Sequence, residues 1–244
     1  MSLSPTTRPD SKPLRISRPI LKTKLHKKKA IIFDLDGTVI DTIGDIAAAV
    51  NRALEAFGYP KRTVAEIQSF LGNGSLMLIK RTLATDADDD FCREVRARFR
   101  AEYESDMYSL SRAYEGIAEL LDKLNELGIA SAVVTNKDDK CAVPMIKHYF
   151  GDRFACVRGV KNDTDRKPNP ELTLSVLDSL GCSPEEALFV GDGMADLEVS
   201  ENAGIDFIPV GYGYTAPSRL FERCGKEPAP DVATLESKIL GYLL

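Results

Sequence analysis

Short apolar runs recur along this chain, and stripes of leucine and valine at helical spacing lie between the later ones. Lys29–Leu35 (KAIIFDL), Ala130–Thr135, Phe154–Val160, Ala187–Val190 and Phe207–Val210 read as buried strands. Ile117, Leu120, Leu121, Leu124 and Leu127 share one helical face that Gly128 stops, and Leu172, Val176 and Leu180 share another that Gly181 stops. Ser183-Pro184-Glu185-Glu186 reads as a capping-box helix start with proline in the first helical position. Strands and helices alternating in this way give an α/β fold, a parallel sheet with helices on both faces.

One stretch breaks the alternation. Between about Ile43 and Leu110 the pattern is helical throughout: Ile46, Val50, Leu54 and Phe57 closed by Gly58, then Ile67, Phe70 and Leu71 behind a Thr63–Glu66 capping box. Leu76, Ile79 and Leu83 follow, and then Phe91, Val95 and Phe99. The expected organisation is an extension over residues 1–28, a core over 29–42 and 111–244, and a helical cap over 43–110. An insertion at the C-terminal edge of a sheet lies over the crevice where α/β proteins bind ligands, where it can exclude water and select substrates.

Charge is divided unevenly. Residues 1–29 hold nine of the 32 Lys/Arg and one of the 37 Asp/Glu, a local +8 that leaves the remainder at −13 within a net −5. Such a body repels a nucleic-acid backbone, so no nucleic-acid partner is expected. No apolar run approaches a membrane span, and the basic segment lacks the apolar centre of a secretory signal. A disordered extension, an organelle transit peptide and an arm for an anionic partner all stay open for it. Five widely spaced cysteines without a CxxC pair, and only two histidines, His26 and His148, argue against a disulfide framework or a zinc site and for a reducing, cytoplasmic compartment.

The chemistry is concentrated at strand ends. Phe33-Asp34-Leu35-Asp36-Gly37-Thr38 puts two carboxylates two apart after the first strand, on one side of an extended chain. Like charges that close repel unless a cation sits between them or they take different roles, and a hard divalent cation suits oxygen ligands. Gly191-Asp192-Gly193-Met194-Ala195-Asp196 supplies two more acids at another strand end, at a spacing that shares one face once a helix begins. Thr135-Asn136-Lys137 offers an anion a hydroxyl, an amide and exposed backbone N–H groups, and Arg166-Lys167-Pro168-Asn169-Pro170 places a lysine in a loop that prolines stiffen.

Together and in this order, these four motifs resemble those of the haloacid dehalogenase superfamily over about residues 29–240. The resemblance implies a Rossmann-like parallel-sheet core with an inserted α-helical cap, and an Mg²⁺-dependent phosphatase working through an aspartyl-phosphate. It makes Asp34 the nucleophile and Asp36 the general acid and then base. Thr135, Asn136 and Lys167 would hold the transferring phosphoryl group. Asp34, the Asp36 backbone carbonyl and Asp192 would bind Mg²⁺, with Asp196 supporting them from behind. Gly193 stands where many relatives carry serine.

Within the superfamily, Asp45–Leu54, Gly72-Asn73-Gly74 with Leu78 and Arg81, and Val133–Lys137 look like phosphoglycolate phosphatases. Gly72, Asn73, Gly74, Lys80 and Arg81 are the expected substrate-selecting positions, with a lysine or arginine meeting a substrate carboxylate. Asp36 disfavours dehalogenation, Ile46 disfavours a sugar phosphomutase, and the first cap helix offers no lysine for phosphonatase chemistry. Pyrophosphatase, sugar-phosphate and nucleotide phosphatase activities remain as alternatives, as does a non-catalytic protein binding through its basic segment. The expected partner is a small phosphorylated metabolite, and the chain a monomer or homodimer.

Overall fold

The structure, a computed structural model, describes Met1, residues 28–83 and residues 87–243. The basic segment, apart from Met1, Lys28 and Lys29, lies outside the described residues, as does His26. Five parallel strands form the main sheet in the order β5-β4-β1-β6-β7: β1 Ala30–Phe33, β4 Ala130–Asp138, β5 Cys156–Val160, β6 Ala187–Gly191 and β7 Asp206–Pro209. The first strand is the middle one, pairing Ala30 with Ala130 on one side and with Ala187 on the other. The chain winds outward from it in both directions, so the C-terminal end of β1 is the point where strand order reverses and a crevice opens.

Alternation along β1 explains its apolar run. Ile31 and Phe33 enter one core with Leu188 and Val190, while Ala30 and Ile32 enter the other with Ala132, Val134 and Phe189. Helices α5 (Ile117–Glu126), α6 (Asp139–Phe150) and α10 (Val232–Leu243) contribute to the first core. Helices α7 (Glu171–Ser179) and α8 (Met194–Ala203) cover the second face. The short helix α9 (Pro217–Cys224) follows β7.

The inserted segment forms α1 (Ile43–Ala56), α2 (Val64–Phe70), α3 (Gly74–Leu83) and α4 (Asp89–Ser105). The Thr63–Glu66 capping box starts α2, the Glu66 N–H donating to Thr63 Oγ1 at 3.2 Å and the Thr63 N–H to Glu66 Oε2 at 2.8 Å. A two-residue antiparallel pair, β2 (Ile40–Asp41) with β3 (Arg112–Ala113), clips the two ends of this insertion together.

Three sequence expectations change. Ser183–Glu186 begins no α-helix; it forms one 3₁₀ turn over Pro184–Glu186, because the next residues are taken at once by the buried strand β6. Phe154 lies ahead of β5, where its ring meets Phe33 and Phe150 edge-on as a core residue of the preceding loop. Lys28, counted with the basic extension, is 5% exposed, and its ammonium donates to the Glu185 and Ala187 carbonyls and to Asp206 Oδ2. Composition cannot separate a solvated lysine from one seated among carbonyls.

Candidate active site

The acids after β1, the end of β4 and the turn after β6 meet where strand order reverses. The Asp34 N–H donates to the Val190 carbonyl at 2.9 Å, so the carboxylate starts from a fixed backbone beside β6. β4 loses its regular register with β5 between Val134 and Asp138, and Thr135, Asn136 and Lys137 lie in that irregular stretch. Irregularities of this kind re-aim side chains that a flat ladder would alternate.

Lys167 is the centre of the charge arrangement. Its ammonium, on a side chain 3% exposed, lies 2.6 Å from Asp34 Oδ1, 2.6 Å from Asp196 Oδ1 and 3.1 Å from the Val134 carbonyl. Burial alone would lower its pKa, but Asp196 and Asp34 more than offset that and hold it protonated. Asp196 occupies the first turn of α8, where its second oxygen accepts the Gly193 N–H at 2.8 Å. Asp192 precedes that helix and accepts from Thr38 Oγ1 at 3.2 Å and from the Tyr214 N–H at 2.7 Å.

Oxygens of Asp34, Asp192 and Asp196 lie within 4.8 Å of one another, all buried. Burial chiefly, then mutual repulsion, pushes Asp34 up to about 7 and Asp192 up to about 8. Buried all-oxygen anions that repel each other fit a hard divalent cation, which would favour their charged forms. A cation must therefore displace protons as pH falls through this range. Calorimetric titration of Mg²⁺ should show affinity falling from pH 8.5 to pH 6, with more protons released per ion at the lower pH. A flat affinity would remove these two acids from the metal site.

Asp36 turns elsewhere. Its Oδ1 accepts from Thr42 Oγ1 at 2.6 Å and from Lys137 Nζ at 2.8 Å, and its side chain stays out of the Asp34–Asp192–Asp196 cluster. The Asn136 carboxamide is engaged with the Lys167 backbone, accepting its N–H at 2.8 Å and donating to its carbonyl at 3.3 Å. That side chain braces the lysine loop, and Asn136 also lines the cavity in which the expected phosphate would sit. Thr135 is buried and faces the cavity.

The cavity above these groups measures about 500 Å³. Gly72, Asn73, Gly74 and Arg81 form part of its wall from the cap side. Arg81 donates to the Phe70 carbonyl at 2.8 Å and to Asn73 Oδ1 at 2.7 Å, bracing the loop that carries the glycines. Gly74 has φ +81°, and a Cβ there would lie 2.2 Å from Arg166 Nη1, so the loop and the Arg166 side chain are in direct contact. Lys80 is outside the wall and pairs with Asp89 instead. Of these two neighbours on α3, Arg81 lies on the cavity side and Lys80 does not. Sequence reading gave Lys137 no role of its own and passed over Tyr103 and Tyr214. Lys137 stands two residues beyond Thr135 in an extended segment, the same spacing that drew attention to Asp34 and Asp36, and could have been found that way.

Residues 31–210, well over half the chain, match the haloacid dehalogenase-like hydrolases. The chain belongs to that family. Among its relatives, the phosphoglycolate phosphatase of Aliivibrio fischeri is 31% identical over 87% of this chain and 94% of its own length. The phosphoglycolate phosphatase of Pseudomonas putida is 32% identical over 76% of this chain and 70% of its own. A crystal structure from Haemophilus somnus, described as a predicted phosphoglycolate phosphatase, superposes with a TM-score of 0.78 at 26% identity, over 87% of this chain and 98% of that one. Membership of a hydrolase family fits a sheet whose polar machinery is gathered at one edge, with the cap helices closing over it. No helix among the described residues is long and apolar enough to cross a membrane.

Proposed function

We propose that this protein is a divalent-cation-dependent phosphatase that hydrolyses a small phosphomonoester through an aspartyl-phosphate on Asp34, with 2-phosphoglycolate as the preferred substrate. The observation that carries the reading is the buried Lys167 ammonium shared by Asp34 and Asp196 beside Asp192, beneath a cavity walled by the cap. A carboxylate attacking a phosphate dianion has to overcome repulsion, and positive charge held in a water-poor site lowers that barrier. Asp34, Asp192 and the Asp36 carbonyl would hold Mg²⁺, which when bound supplies charge to the phosphoryl oxygens. Lys167 contributes the fixed part of that charge and holds Asp34 in place. Asp36 gives a proton to the leaving oxygen and then takes one from the water that opens the acyl phosphate, one group serving both displacements.

Support for the substrate comes from the relatives' names and from Arg81, whose hydrogen-bond partners here are neutral oxygens, leaving its charge available to a carboxylate. Comparing kcat/KM across 2-phosphoglycolate, pyrophosphate, sugar phosphates and nucleoside monophosphates tests the assignment. 2-Phosphoglycolate should lead the panel, and flat values would refute it. Arg81→Ala should cut kcat/KM for 2-phosphoglycolate by about 10- to 100-fold, the value of one charge-assisted hydrogen bond, and cut ethyl phosphate much less. Equal losses on both esters would assign Arg81 to loop bracing alone.

A further inference from the structure

Lys137 is a buried lysine that none of the roles above requires. Its side chain is 6% exposed, its ammonium lies 2.8 Å from Asp36 Oδ1, and Thr42 Oγ1 donates to the same oxygen. Over the ammonium lies the Tyr103 ring, 4.4 Å to its centre, carried by α4 of the cap. The Tyr103 hydroxyl is buried and makes no hydrogen bond of regular geometry among the described residues, and the Lys137 ammonium is the cation that Tyr103 faces. Burying an ammonium is costly unless it is paired, and here one carboxylate and one aromatic face pair it, from the core and from the cap.

We propose that Lys137 is a positioning residue for Asp36. With Thr42 it fixes Oδ1, which leaves Oδ2 as the oxygen that carries the acid proton, and Tyr103 completes the seat from the cap. The inference rests on the phosphatase reading. In the step concerned, an Asp34 oxygen forms a bond to phosphorus and the ester P–O bond breaks with its electron pair on the ester oxygen. Asp36 Oδ2 releases its proton to that oxygen. The carboxylate left behind is stabilised by the ammonium, and a side chain held in one rotamer presents its proton in one direction. Core and cap thus both bear on the orientation of the acid.

The test exploits leaving-group chemistry. An alkyl phosphate needs a proton on its departing oxygen, whereas p-nitrophenolate leaves without one, and kcat/KM reports the step that expels either. Lys137→Met should lose about 30-fold or more in kcat/KM on the best alkyl phosphate of the panel, and under about threefold on p-nitrophenyl phosphate. Tyr103→Leu, which leaves every polar group of the core in place, should show the same inequality at smaller size. It decides the matter if thermal melts show that Lys137→Met does not fold. Equal losses on the two esters, or full alkyl-ester activity in either folded variant, would overturn the proposal. Wild-type protein turning over neither ester would overturn the phosphatase reading and this inference with it; wild-type turnover with equal losses would overturn this inference alone.

Discussion

Asp34→Asn is expected to reduce kcat by at least about three to four orders of magnitude on any ester the wild-type protein hydrolyses, the scale seen when a nucleophile is removed. The amide is nearly isosteric with the carboxylate but cannot form the phosphoenzyme. The backbone anchor to Val190 is untouched, so the fold should persist. The cost of burying and crowding the Asp34 charge, which outweighs the attraction of Lys167 and pushes the carboxyl up to about 7, goes with that charge, and the melting temperature of the cation-free variant at pH 8 should equal or exceed wild type. Steady-state kinetics with mass-spectrometric exclusion of deamidation, paired with a thermal melt, make the check. Turnover near wild type would take the nucleophile's role away from Asp34.

Lys167→Met should have the largest effect on stability. Removing one partner from a buried charge cluster leaves Asp34 and Asp196 facing each other without compensation, a loss of about 3–5 kcal/mol. For a chain of this length that corresponds to a fall in Tm of roughly 6–20 °C at pH 8. The sign of the pH dependence identifies the cause. Burial already pushes the Asp34 carboxyl up to about 7 against the pull of the ammonium, and without that ammonium Asp34 holds its proton more tightly still in the folded state than in the unfolded one. Stability then rises as pH falls from about 8 towards 5, because the folded state binds more protons. The gap to wild type should narrow across that range. A gap independent of pH would mean that lost packing against Phe189, over whose ring the ammonium sits at 5.6 Å, is the cause instead. Activity should fall with stability in either case, since Asp34 loses its fixed counter-charge.

Much of this architecture was legible because it depends on local pattern. A run apolar on both faces has to become an inner strand, and β1 did. Acids that follow such a strand have to reach its C-terminal edge, and Asp34, Asp192 and Asp196 lie there together. What escaped was set by distant neighbours. The β2–β3 clip is two residues on each side, too short for any periodicity, and exists because Asp41 meets Arg112 across the whole insertion. The engagement of Asn136 depends on the Lys167 backbone, 31 residues on, and Lys80 was separated from Arg81 only by the rotation of one helix. Lys28 looked like one more charge in a basic run until the carbonyls that receive it were in place. Tyr214 shows the same limit, since its N–H meets Asp192 while its hydroxyl meets Thr42, contacts that only the folded chain brings together.

Beginning the sheet at its centre has a consequence for how this protein is made. β1 leaves the ribosome before either neighbour: one flanking strand follows about a hundred residues later and the other only at Ala187–Gly191. At about 5–20 residues per second, on the order of ten to thirty seconds pass before both edges of β1 can be paired. Helices α1 to α4 emerge in that interval and draw on contacts close in sequence, so they can form while the first strand waits. During synthesis a strand buried on both faces is therefore also the one longest without its partners. Slowed elongation or truncation before residue 191 should be felt first as aggregation of the nascent chain.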